Sequence, residues 1–90
     1  MAARARKLDK SVHSGGQGAF CELMVKARKA GGLTQRELAD RIHKPQSFVA
    51  KYEGGERRID VVEFLVICQA IGADSAKLLK ALKNAVGTDA

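Results

Sequence analysis

The chain has 90 residues, 46% of them hydrophobic, with one proline, no tryptophan and a formal net charge of +6. That length holds one domain and leaves no room for a second core, and the composition excludes a disordered chain. The charge calls for a polyanionic partner, nucleic acid ahead of an anionic membrane, and no apolar run approaches the roughly 20 residues of a bilayer span.

In chain order, residues 1–18 read as a flexible basic tail. Arg4, Arg6, Lys7 and Lys10 are followed by Ser14-Gly15-Gly16-Gln17-Gly18, which has linker composition. Residues 8–20 carry charges and glycines where a secretory signal needs an apolar stretch. Two readings of the tail stay open: solvated chain, or an arm that adds phosphate or minor-groove contacts.

Residues 19–86 carry helical periodicity, and residues 87–90 form a short C-terminal tail. A first helix starts at Ala19, with Phe20, Leu23, Met24 and Ala27 on one face, and stops at Gly31-Gly32. Thr34 caps a second helix and Glu37 completes a capping box, with Leu33 stapled to Leu38. A third helix runs from Pro45 or Gln46 to Glu53, ended by Gly54-Gly55. Asp60 caps a fourth, with Glu63 at its third position and an Ile59–Phe64 staple. It runs through Leu65, Ile67 and Cys68 to Ile71, with Gly72 as its C-cap. A fifth helix from Asp74 or Ser75 carries Leu78, Leu79, Leu82 and Val86. With no strand pattern and no internal repeat, this is an all-α, compact five-helix bundle.

The chemistry is concentrated in helices two and three. Thr34-Gln35-Arg36-Glu37-Leu38-Ala39, then Ile42, then Gln46-Ser47-Phe48-Val49, reads as two short helices about a tight turn. Such a pair can set a helix in the major groove of double-stranded DNA. In helix three, Val49 and Tyr52 face the core; Gln46, Ser47, Phe48, Ala50 and Lys51 lie wholly or partly outside. Gln can bond bidentately to adenine, Ser can reach a base or phosphate, and Phe can touch a thymine methyl. On residue types alone, Gln46 and Ser47 could equally be ordinary first-turn residues and Phe48 a partly buried flank. Lys44 and Arg57, which bracket the helix, complete the expected DNA-contacting set.

The pattern resembles the lambda-repressor-like (Cro/cI-type, xenobiotic-response-element) helix-turn-helix regulators over about residues 20–82. The matching residues are Arg28, Gly32-Leu33-Thr34-Gln35, Glu37-Leu38-Ala39, Ile42, Gln46-Ser47, Val49, Glu53, Gly55, Leu65 and Ala70-Ile71-Gly72, followed by Leu78-Leu79. The resemblance implies that Gln35 contacts a phosphate and braces Gln46, and that Gln46 and Ser47 open the recognition helix. It further implies that Lys51 faces the groove or its backbone, and that Arg28 and Glu53 form a structural ion pair. Three residues depart from the pattern. His43 stands at the turn glycine, Lys44 at a usually apolar position, and Pro45 where Ser or Thr commonly caps the helix.

Other chemistries are poorly supported. Cys21 and Cys68, 47 positions apart with only His13 and His43 as imidazoles, fit buried apolar side chains in a reducing cytoplasm and not a metal site or disulfide. His43 reads as an exposed turn residue. Neither the serines nor any glycine loop supports an enzyme, a cofactor or a small-molecule ligand. Two functions are left: a cytoplasmic transcriptional regulator, favoured as a repressor, binding a palindromic operator as a homodimer; or an antitoxin or adaptor working through protein contacts. For the first, Leu82 with Val86 on helix five is the expected two-fold contact.

Overall fold

The computed structural model describes residues 15–86. They form α1 (Gly15–Ala30), α2 (Gln35–Arg41), α3 (Gln46–Glu53), α4 (Val61–Ile71) and α5 (Ser75–Val86), and no strand is found among the described residues. This is the all-α bundle expected from the periodicity. The readings placed on residues 1–14 and 87–90 lie outside the described residues.

Local chemistry fixes most helix ends. Thr34 Oγ1 accepts the Glu37 N–H at 3.1 Å, while the Thr34 N–H donates to Glu37 Oε1 at 2.9 Å. Asp60 and Glu63 repeat that reciprocal box at 2.7 and 2.9 Å. Asp74 Oδ1 accepts from the N–H groups of Ala76 and Lys77, so α5 starts at Ser75. Each cap contributes about 1 kcal/mol by satisfying amides that have no partner inside the helix. Gly72 ends α4 at φ +82°, a left-handed conformation that a side chain would strain.

One boundary differs from expectation. Helix α1 begins at Gly15, not Ala19, so residues 15–18 belong to the folded body and not to the tail. Gly15, Gly16 and Gly18 each disfavour a helix by about 1 kcal/mol. Tertiary packing overrides that preference. Helix α5 lies mainly along α1, and a Cβ at Gly16 would sit 3.5 Å from Val86 Cγ2. One turn on, Phe20 tilts against Phe64 of α4 with ring centroids 5.8 Å apart.

The core is drawn from α1 to α4. Met24, Leu38, Val49, Tyr52, Ile67 and Cys68 are fully buried, and Phe20, Ile42, Phe48 and Leu78 pack around them. Cys21 and Cys68 are both free and buried, and burial pushes both thiols up, away from reactivity. The Tyr52 hydroxyl is buried with no hydrogen-bond partner, which costs about 1–3 kcal/mol.

Helix α4 is apolar on nearly every side. Phe64, Ile67, Cys68 and Ile71 face inward, leaving Val61, Val62, Leu65 and Val66 exposed at 72, 69, 46 and 46%. The apolar stripe of α5 is divided between the core and the surface. Leu78 packs against the core, and Leu82 and Val86 are half-buried in a cleft shared with Gly16, Gln17 and Phe20. Leu79, at 50%, is the large apolar side chain that α5 leaves most exposed. The cause is the lie of α5 along α1, which turns its Leu82–Val86 end toward the first turn of that helix. Among the described residues, no helix is long and apolar enough to cross a membrane.

Candidate nucleic-acid interface

Helices α2 and α3 pack on each other about a four-residue turn. His43 takes φ +57°, a left-handed conformation in which histidine is one of the better-tolerated non-glycine residues. The Lys44 N–H donates back to the Ala39 carbonyl at 2.9 Å and closes the turn. Pro45 precedes α3 with φ −68° and supplies no side-chain cap, so α3 starts at Gln46. The departures at His43, Lys44 and Pro45 thus leave the helix-turn-helix intact.

Burial of Val49 and Tyr52 sets the rotation of α3. Gln46, Ser47, Ala50 and Lys51 are left exposed. Spaced i, i+1, i+4 and i+5, they form one outward strip with amide, hydroxyl and ammonium groups around a small alanine. This is the side on which Gln46, Ser47 and Lys51 were expected.

Phe48 is half-buried, not bare. Its ring meets Tyr52 edge-on at 5.7 Å and 70°, the Arg57 guanidinium lies 4.6 Å from its centroid, and Lys44 Nζ lies at 5.5 Å. These contacts hold the ring at the flank of α3, with part of it still open to solvent. Arg57 is likewise committed within the chain. Its Nη1 and Nη2 donate to the two oxygens of Glu63 at 3.2 and 3.1 Å, and Nη1 also donates to the Arg58 carbonyl. Those bonds, with the Asp60 amide, hold the Glu63 carboxyl below its usual range. Arg57 thereby ties the α3–α4 loop to both helices, while 41% of its side chain stays open to solvent.

Beneath the strip lies a polar network. Arg28 Nε and Nη2 donate to Glu53 Oε2 and Oε1 at 2.7 and 3.1 Å, and Arg28 Nη1 donates to the Leu33 carbonyl at 2.7 Å. The two side chains are 10 and 4% exposed, so the pair expected from the resemblance is present and buried. Gln35 Nε2 donates to Glu53 Oε1 at 2.9 Å, and Gln46 Nε2 donates to Gln35 Oε1 at 3.5 Å. Gln35 therefore does brace Gln46, and is itself held from behind. Sequence reasoning missed the Gln35–Glu53 bond, the Arg57–Glu63 pair and the bond from Arg41 Nη1 to the Ala70 carbonyl. These partners, 18, 6 and 29 positions apart, sit on different elements, so the periodicity of a single helix does not pair them. Among the described residues, no group of three or more His, Cys, Asp and Glu side chains comes together to hold a metal.

Comparison with known proteins gives the same answer as the geometry. Residues 24–83 match the helix-turn-helix family model HTH_3. A solved XRE-family-like protein from Pseudomonas syringae pv. tomato str. DC3000 is 48% identical, with a TM-score of 0.73 over 81% of this chain and 89% of its own. The clp gene regulator ClgR from C. glutamicum, 22% identical, shares the fold, with a TM-score of 0.71 over 80 and 94% of the two chains. No curated protein matches the chain. With the helix-turn-helix geometry in place and the family model matched over two thirds of its length, the chain belongs to the XRE-type, lambda-repressor-like helix-turn-helix family.

Proposed function

We propose that this protein is a sequence-specific transcriptional regulator that binds a palindromic operator as a homodimer and represses by occupying it. The observation that carries the reading is the outward strip of Gln46, Ser47 and Lys51, with Gln46 braced by Gln35. Amide and hydroxyl groups so placed match base edges in the major groove, and Lys51 matches the phosphates beside it. Gln35, at the start of α2, is the companion backbone contact, and Lys44 and Arg57 add positive charge at either end of α3.

An α3 of eight residues spans only a half-site, so a stable complex calls for a second copy. Two chains of charge +6 repel, and they associate most easily through a surface free of charge. The exposed face of Val61, Val62, Leu65 and Val66, continued by Leu79, meets that requirement. It supports a two-fold contact centred on α4 and Leu79, with Leu82 and Val86, which line the same cleft, at its edge.

The test is selection of binding sites by the full chain from a random duplex library at fixed salt. The expected product is an inverted repeat with half-sites about one helical turn, roughly 34 Å, apart. Enrichment of no motif would contradict the regulator reading and favour the adaptor alternative.

A further inference from the structure

We infer that the buried Arg28–Glu53 pair, besides supporting the fold, sets which base Gln46 reads, by fixing the orientation of two amides in series. The inference rests on the proposed reading in which Gln46 contacts a base.

Glu53 is the side chain at the base of the network with no hydrogen to give. An ionised carboxylate only accepts. Both oxygens of Glu53 are held by Arg28, and Arg28 is in turn held by the Leu33 carbonyl, so the carboxylate has no freedom to turn. The Gln35 atom 2.9 Å from Glu53 Oε1 must then be the nitrogen, because the reverse orientation would set oxygen against oxygen. With one hydrogen of its nitrogen given inward to Glu53, Gln35 turns its oxygen to α3, where Gln46 Nε2 donates to it. The 3.5 Å separation is at the long limit for such a bond.

The consequence lies at the DNA face. Nε2 of Gln46 has two hydrogens, and the relay claims one of them. One N–H and the side-chain oxygen remain free to face outward. That donor–acceptor pair complements adenine, which presents an acceptor at N7 and a donor at N6. Guanine presents two acceptors, N7 and O6, and is matched only by an amide nitrogen with both hydrogens free. The relay therefore favours adenine over guanine. Glu53 and Gln35 act as positioning residues for that choice; neither needs to touch the base.

The base pair concerned is located first, as the operator position whose preference Gln46→Ala abolishes. Affinities of the full chain are then measured for duplexes carrying adenine or guanine at that position, for the parent, Glu53→Gln, Gln35→Leu and the double variant. The parent should favour adenine by roughly tenfold or more. Glu53→Gln lets the neighbouring amide turn, and Gln35→Leu removes the relay without touching the ion pair. In each, the preference should fall to within about threefold of parity, and Glu53→Gln should change the ratio no further in the Gln35→Leu background. Loss of folded protein lowers both affinities together and leaves the ratio unchanged, so stability does not mimic the effect. An unchanged ratio in Glu53→Gln, a further change in the double variant, or a parent that prefers guanine would each overturn the proposal. No base preference at any position that responds to Gln46→Ala would instead remove the reading on which it rests.

Discussion

Helices α2–α3 and helices α4–α5 solve the problem of an exposed surface in opposite ways. On the first pair the exposed groups are polar, and those at the opening of α3 are tied to the interior: Gln46 to Gln35, Gln35 to Glu53, Glu53 to Arg28. On the second pair the exposed groups of α4 are Val61, Val62, Leu65 and Val66, which have nothing to bond to and gain only by being covered. A surface built to read a polar, chemically varied partner must hold its groups in fixed orientations. A surface built to meet another copy needs apolar area and freedom from charge. In the proposed function, α2–α3 serve recognition and α4–α5 serve assembly.

The largest effect should come from breaking the polar region at its base. Glu53→Ala leaves Arg28 buried without its carboxylate, at a cost of about 3–5 kcal/mol, which is a large part of the stability of a domain this small. Thermal melting followed by circular dichroism should show a variant largely unfolded at room temperature, or melting far below the parent. A melting temperature within a few degrees would mean that the pair contributes little.

A smaller effect on folding, and a specific one on assembly, should follow from charging the apolar region. Val62 is 69% exposed, so Val62→Glu should leave melting of the monomer within about 0.5 kcal/mol of the parent. Sedimentation of the free protein at tens of micromolar should show a dimer for the parent and a monomer for the variant, with weaker operator binding. Leu79→Glu should behave in the same way. If the variants keep the parent's mass, the two-fold contact lies elsewhere.

How much of this was legible in the sequence also divides along the two regions. Capping boxes at Thr34–Glu37 and Asp60–Glu63 are local patterns, and they appear where the residues placed them. The burial of Val49 and Tyr52 followed from their three-residue spacing, which gave the rotation of α3 and hence its exposed strip. The Arg28–Glu53 pair came from the resemblance alone, since 25 positions separate its partners. What stayed hidden depended on packing between distant segments. Glycines at positions 15, 16 and 18 argue for a linker by composition, whereas α1 begins at Gly15 and Gly16 lies beside Val86 of α5. Arg57, expected in the DNA-contacting set, also pairs with Glu63 and lies over the Phe48 ring, contacts that its place in the chain does not announce. In α4, a helix apolar on most sides gave no periodic sign of which valines face out.

Everything proposed for the strip on α3 depends on Gln46 reading a base. The most direct test is titration of Gln46→Ala and the parent, at fixed salt, against the selected operator and a duplex of scrambled sequence. The variant should lose about 1–3 kcal/mol on the operator and next to nothing on the scrambled duplex, where phosphate contacts dominate. Equal affinity of variant and parent for the operator would contradict it.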